Sequence, residues 1–262
     1  MTAPARLTPT SIGGLKITKV ADLAPHLNML IYGDPGVGKT RLAASADQVP
    51  AMRDVLILDV DGGALSAKEV YPNVQRIRVT TWTDLISVYT DLFSNPDHGF
   101  NTLVLDTATE AQKYSMSGIM EKVIAKDAER DPEVPSVREW GITSEQVRRL
   151  VRGFRDLPLS FIMTCHLADD KDDKTGIIKK APDLPGKLKK QIAGFFDVVA
   201  YMYVKDIEKE DDAGNKIKEE HRLLMTAATD RITAKDRTDR LPRIVVDPTM
   251  EQLYTKMIGD SL

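Results

Sequence analysis

One stretch constrains this chain more than any other: "MLIYGDPGVGKTRLA", from Met29 to Ala43. A short apolar run meets a glycine-rich turn, then a lysine, a threonine and a helix-prone segment. Residues 33–40, "GDPGVGKT", fit the pattern G-x-x-x-x-G-K-[ST], with a strand leading in and a helix leading out. Glycines let the backbone curl so that successive N–H groups point at one anion. The helix start turns its positive end to the same place. Gly33, Asp34, Pro35, Gly36, Val37, Gly38, Lys39, Thr40 and Arg41 are therefore expected to hold a nucleoside triphosphate. Lys39 can reach the β- and γ-phosphates, and Thr40 can place a hydroxyl on Mg²⁺.

The rest of the chain fits an α/β frame. "NMLIY" (28–32), "DVLILDVDGG" (54–63), "NTLVLDT" (101–107), "LSFIMTCH" (159–166) and "FFDVVAYMYV" (195–204) read as buried strands. "KTRLAASADQ" (39–48) reads as a helix stopped before Pro50. In "TWTDLISVYTDLF", Leu85, Val88, Tyr89, Leu92 and Phe93 recur at helical spacing, with Thr83 as the expected N-cap. "EWGITSEQVRRLVRGFRDL" gives another helix. Strands alternating with helices predict a mostly parallel sheet covered on both faces. "HRLLMTAAT" and "PRIVVD" suggest an antiparallel extension, with a turn at "DDAGNK". The expected division is an N-terminal arm with an edge strand over 1–27 and one core over 28–262.

Bound Mg²⁺ also needs an acid at a neighbouring strand end, and Asp106 in "TLVLDT" fits. Hydrolysis needs a group that orients water. Asp59 and Asp61 end strand two, and Asp61, further out, is the choice; a solvated turn acid is the plain alternative. His166 ends the fourth strand. Lys235 and Arg237 in "TAKDRTDR" could equally be an ordinary solvated turn.

Other bounds are broad. The net charge of −3 over 262 residues argues against a globally basic protein but leaves room for a basic patch. One cysteine, Cys165, excludes an intrachain disulfide and points to a reducing cytoplasm. No signal peptide is expected from "MTAPARLTPTSIGG", and no apolar run nears the ~20 residues a membrane helix needs.

In order, "GDPGVGKT", "LILDVDGG", "TLVLDT", "IMTCH" and "TAKDRTDRLP" resemble the RecA-like ATPase core. More closely, the chain is similar to the phage AAA-type nucleotide-binding proteins, core-only RecA relatives linked to recombination and single-strand annealing. The resemblance spans about residues 28–246. It implies a strand, "LSFIMTC", between the loop strand and the acid strand, which sets His166 beside the γ-phosphate as a sensor. It implies Asp61 as the base, where the family usually has glutamate. It implies Lys235 and Arg237 as cations pushed into a neighbour's site. ATP and Mg²⁺ are the implied cofactors. A homo-oligomer, ring or filament, single-stranded DNA and a single-strand binding protein are the implied partners, in the cytoplasm of an infected host.

Residues 174–190, "KTGIIKKAPDLPGKLKK", carry Lys179, Lys180, Lys187, Lys189 and Lys190 in what reads as an irregular loop. Leaving directly from His166, it could couple nucleotide state to a polyanion; a solvated surface loop is the alternative. The corresponding loop of RecA-like proteins touches single-stranded DNA. Two other functions stay open: a nucleotide-dependent recruitment module that hydrolyses little, and a P-loop kinase.

Overall fold

The structure, a computed structural model, describes residues 11–19, 26–171, 176–210 and 216–259. Its centre is a sheet built on β3 (Asn28–Tyr32), β4 (Val55–Asp59), β6 (Thr102–Asp106) and β7 (Ser160–Cys165). Nearly every residue of these strands is buried. That is why they read as continuous apolar runs rather than alternating ones. β5 (Gln75–Arg78) and β10 (Val198–Glu210) complete the parallel set. β11 (Lys216–Met225) and β13 (Ile244–Val246) extend it antiparallel, and β12 (Lys235–Asp236) pairs with the start of β10. The strand order is β13-β11-β10-β3-β7-β6-β4-β5. β7 therefore lies between the loop strand β3 and the acid strand β6, as the RecA-like resemblance implies.

Helices cover both faces. α1 (Lys39–Ala44) and α6 (Met250–Ile258) pack on one side through Leu42, Leu253 and Met257. α2 (Trp82–Ser94), α3 (Ala108–Ile124) and α4 (Val137–Arg155) pack on the other through Leu85, Ala111 and Phe154. The α/β class with a mostly parallel sheet is thus what the chain forms. Among the described residues no helix is long and apolar enough to cross a membrane.

Several local expectations are corrected. The N-cap of α2 is Thr81, not Thr83: Thr81 is extended (φ −138°, ψ 161°) and accepts from Asp84 N–H, while Asp84 accepts from Thr81 N–H. Only Thr81 has an acid three residues on to close this reciprocal pair, which contributes about 1 kcal/mol. Phe93, expected on the apolar face, is 66% exposed. Near the N-terminus, Leu15–Lys16 (β2) pairs with Ser11–Ile12 (β1) in a small separate ribbon among the described residues. "KTRLAASADQ" is α-helical only to Ala44 and ends in a 3-10 turn.

Much of the described part of the lysine-rich segment is regular rather than irregular. Leu167–Lys171 (β8) and Ile178–Pro182 (β9) form an antiparallel ribbon, followed by a short helix, α5 (Leu188–Gln191). The ribbon is tied back to the core. Lys180 N–H donates to Arg231 O, Thr233 N–H donates to Lys180 O, and the Tyr32 hydroxyl reaches both Lys180 O (3.1 Å) and Thr233 O (2.7 Å). The turn expected between β10 and β11 lies outside the described residues.

Candidate nucleotide-binding site

Four parallel strands deliver their carboxyl ends to one edge of the sheet. Register fixes this: Tyr32 lies beside Cys165, and Asp59 beside Asp106. The loop from Gly33 to Thr40 leaves β3 at that edge. Gly33 is required there, because a Cβ would lie 2.2 Å from the Met202 carbonyl oxygen. Gly38 has φ +102° and is overlain by the Arg222 side chain.

Lys39 is buried and folds back on its own loop, donating to Gly33 O (2.9 Å) and Asp34 O (2.8 Å). Burial pushes its ammonium below the ordinary value, and the Asp106 and Asp61 charges oppose that shift. Asp106 is fully buried and accepts from Thr40 Oγ1 (2.8 Å) and Thr164 Oγ1. Burial pushes its carboxyl above the usual range, while the two hydroxyls pull it down. A buried acid in this state is stabilised by a cation.

The residues present fit Mg²⁺. A Cβ built on Gly63 would sit 3.0 Å from Asp61 Oδ1, 3.2 Å from Asp106 Oδ2 and 3.3 Å from Thr40 Oγ1. Two carboxylates and a hydroxyl thus converge on a space that only glycine leaves open. Thr40 and Asp106 are the ligands this donor set offers, and hard oxygen donors suit Mg²⁺.

Asp59, the last residue of β4, and Asp61, two residues beyond it, differ in their surroundings. Asp59 is fully buried and committed: it pairs with Arg76 at 2.6 Å and accepts from Gly62 N–H at 2.9 Å. Asp61 lies further out, with Oδ2 3.7 Å from His166 Nε2 and both side chains about a quarter exposed. His166 is held by its backbone, donating N–H to Thr109 Oγ1 and accepting from Asp183 N–H at its carbonyl. Pro35, Gly36, Gly38, Lys39, Thr40, Asp61, Gly63, Asp106 and His166 all line one cavity of ≈ 280 Å³.

A second cavity of ≈ 290 Å³ continues past Gly38. Arg41, Tyr71, Arg222 and Asp247 line it. Arg222 Nε is buried and has no acceptor among the described residues. Val37 does not face either space but packs in the core beside α1.

Sequence reasoning missed Gly63, Thr164, Arg222 and Asp247. The doubled glycine of "DVDGG" was the available signal for Gly63. Nothing local marks the other three, which reach the site by strand pairing.

Lys235 and Arg237 are not brought to this site. Lys235 Nζ donates to Ala193 O (2.9 Å) and Phe196 O (2.8 Å), and Arg237 pairs with Asp197 at 2.7 Å. Both sit where β12 meets the start of β10, the opposite end of the sheet from the phosphate loop. Their cations are engaged within the chain, so reaching a neighbour's phosphate requires these bonds to be exchanged.

The lysines of the ribbon are likewise partly engaged. Lys180 pairs with Asp169 (3.7 Å), and Lys189 and Lys190 both approach Asp170. Lys179 and Lys187 form no ion pair with the described residues.

Strand, glycine loop, buried lysine, hydroxyl and strand-end acid together define a P-loop nucleotide-binding domain. The family described as AAA domain (AAA_24) matches residues 26–238, and the chain belongs to it. No curated protein matches. Among solved structures, the crystal structure of the RadB recombinase is similar at 15% identity, covering 77% of this chain and 80% of that one, with a TM-score of 0.43.

Proposed function

We propose that the chain is an Mg²⁺-dependent ATPase that binds single-stranded DNA and acts in phage recombination or strand annealing. In this reading it works as a ring or filament with the ATP site near a subunit boundary. The observation that carries the catalytic part is the convergence of Thr40, Asp106 and Asp61 around Gly63, with His166 3.7 Å from Asp61.

The chain's own residues divide the work. The loop N–H groups and the start of α1 bind the triphosphate. Lys39 exchanges the Gly33 and Asp34 carbonyls for phosphate oxygens. Mg²⁺ held by Thr40 and Asp106 would neutralise charge on those oxygens. Asp61 takes a proton from an attacking water, and His166 beside it senses the γ-phosphate. The nucleoside end occupies the cavity past Gly38, where Arg222 Nε offers a donor. The lysine ribbon, attached just after His166, contacts the DNA backbone.

One observation favours a second reading. Asp61 is a methylene shorter than the glutamate usual in the resembled family, which suits a recruitment module that binds nucleotide and turns it over slowly. Steady-state ATP hydrolysis with and without single-stranded DNA separates the two. DNA-stimulated turnover, lost in Lys39→Ala, is expected for the ATPase. A flat, near-zero rate with tight nucleotide binding selects the module.

A further inference from the structure

The loop that carries the lysines has no aromatic residue, yet the fold sets three tyrosines beside it. Tyr201 and Tyr203 lie two residues apart on β10 and so project from the same face of the sheet. Their rings stack with centroids 5.2 Å apart and 15° between planes. Tyr32, the last residue of β3, stands on the other side of Tyr201 at 5.4 Å. Tyr32 is fully buried, Tyr201 is 7% exposed and Tyr203 is half-buried. The ladder therefore runs from the core outward and ends on a ring that meets solvent. Lys180 of the ribbon holds its ammonium 5.8 Å from the Tyr201 centroid. Lys205, two residues beyond Tyr203 on the same strand, is exposed. The nearby acids are Asp169, already paired with Lys180, and Asp34 of the phosphate loop, whose charge reaches Tyr201.

We propose that Tyr203, stacked on Tyr201 whose own ring Lys180 faces, is a base-stacking platform for single-stranded nucleic acid beside the phosphate loop. This rests on the reading of the chain as a single-strand binder and names the residue that would grip a base. An aromatic ladder with lysines on neighbouring positions suits a strand with both π-faces and phosphates. An acidic protein surface would use the lysines but has no need of the half-buried ring. Every base presents a π-face, so the contact is tolerant of sequence.

The test uses the full chain with Mg²⁺ and a non-hydrolysable ATP analogue. Binding of an oligo-dT and of an abasic oligonucleotide of equal length is followed by fluorescence anisotropy, for wild type, Tyr203→Ala and Tyr203→Phe. Melting curves establish that each variant is folded. Wild type is expected to prefer oligo-dT. Tyr203→Ala is expected to lose roughly tenfold on oligo-dT, the scale of one stacked base, with no change on the abasic strand. Tyr203→Phe keeps the ring and should match wild type. If Tyr203→Ala binds oligo-dT as wild type does, the platform is wrong while the single-strand reading stands. If wild type binds neither strand, the single-strand reading fails and takes the platform with it. Poly-glutamate binding with the same dependence on Tyr203 would overturn the proposal in favour of an acidic protein partner.

Discussion

Thr40 Oγ1 donates a 2.8 Å hydrogen bond to Asp106 Oδ2, joining residues 66 positions apart. The first helical turn after the phosphate loop is thereby locked to the end of the acid strand. The same two oxygens are the ones a bound cation would take, so protein and cation compete for one pair of groups.

That competition has a pH signature. Burial holds the Asp106 carboxyl above its ordinary value. Between that ordinary value, about 4, and the raised one, the folded chain keeps a proton the unfolded chain has released. Without metal, stability from this group is full at low pH and is lost as pH rises through the window. Asp106→Asn should therefore melt higher than wild type at neutral pH in EDTA, by about 2–4 °C for each ~1 kcal/mol relieved. The gap should close near pH 4, and Mg²⁺ should stabilise wild type but not the variant. Parallel wild-type and variant melting profiles across pH would remove Asp106 as the source.

Gly63→Ala and Gly33→Ala should separate ligand binding from folding. The Gly63 methyl would occupy the space between Asp61, Asp106 and Thr40. We expect the fold intact and the Mg²⁺-dependent part of nucleotide affinity lowered by at least about tenfold, roughly 1.4 kcal/mol. The Gly33 methyl would meet the Met202 carbonyl. That strain costs about 1–3 kcal/mol and should appear as a lower melting temperature with or without ligand. Titration with a fluorescent nucleotide, in Mg²⁺ and in EDTA, reads the first; thermal melts read the second.

If Asp61 is the base and His166 the γ-phosphate sensor, as proposed, Asp61→Ala and His166→Ala should each reduce turnover, by about 10²–10⁴ for the acid. Nucleotide affinity should change little. Asp61→Glu restores the missing methylene and should raise the rate. A slower Asp61→Glu enzyme would show that the 3.7 Å spacing to His166 is set for the shorter acid.

The ribbon lysines should not be equivalent. Lys179 and Lys187 have no acidic partner among the described residues, whereas Lys189 pairs with Asp170. Each phosphate contact removed lowers the salt slope of DNA binding by about 0.7 for a single strand. Lys179→Gln and Lys187→Gln should show that decrement, and Lys189→Gln a smaller one. Equal decrements would mean that Asp170 yields Lys189 to DNA.

The fold and the heart of the site could be read from the chain because both depend on short contiguous patterns. Buried parallel strands are unbroken apolar runs, and a phosphate loop is eight successive residues. Asp106 and His166 could be placed at one edge of the sheet because strand ends are where such runs stop. β5 escaped because "QRIR" is an exposed edge and carries no such run. The ribbon escaped because its strands are polar and joined by a backbone register, with the Lys180–Asp169 ion pair across it, a match that no periodicity reveals. Lys235 and Arg237 looked available as charges in a polar turn. Their partners are carbonyls and an acid some 40 residues earlier, a relation that only the paired strands create.

Tyr32 ends the strand that feeds the phosphate loop, and its phenol oxygen stitches that strand to the carbonyls of Lys180 and Thr233. Burial pushes the hydroxyl above its ordinary acidity range, which favours the protonated, donating form. The stitch is thus a mechanical splice between strand and ribbon. Whatever displaces the head of β3 tugs the ribbon through a single oxygen atom, and Tyr32→Phe would cut that cable while leaving the ring in its berth.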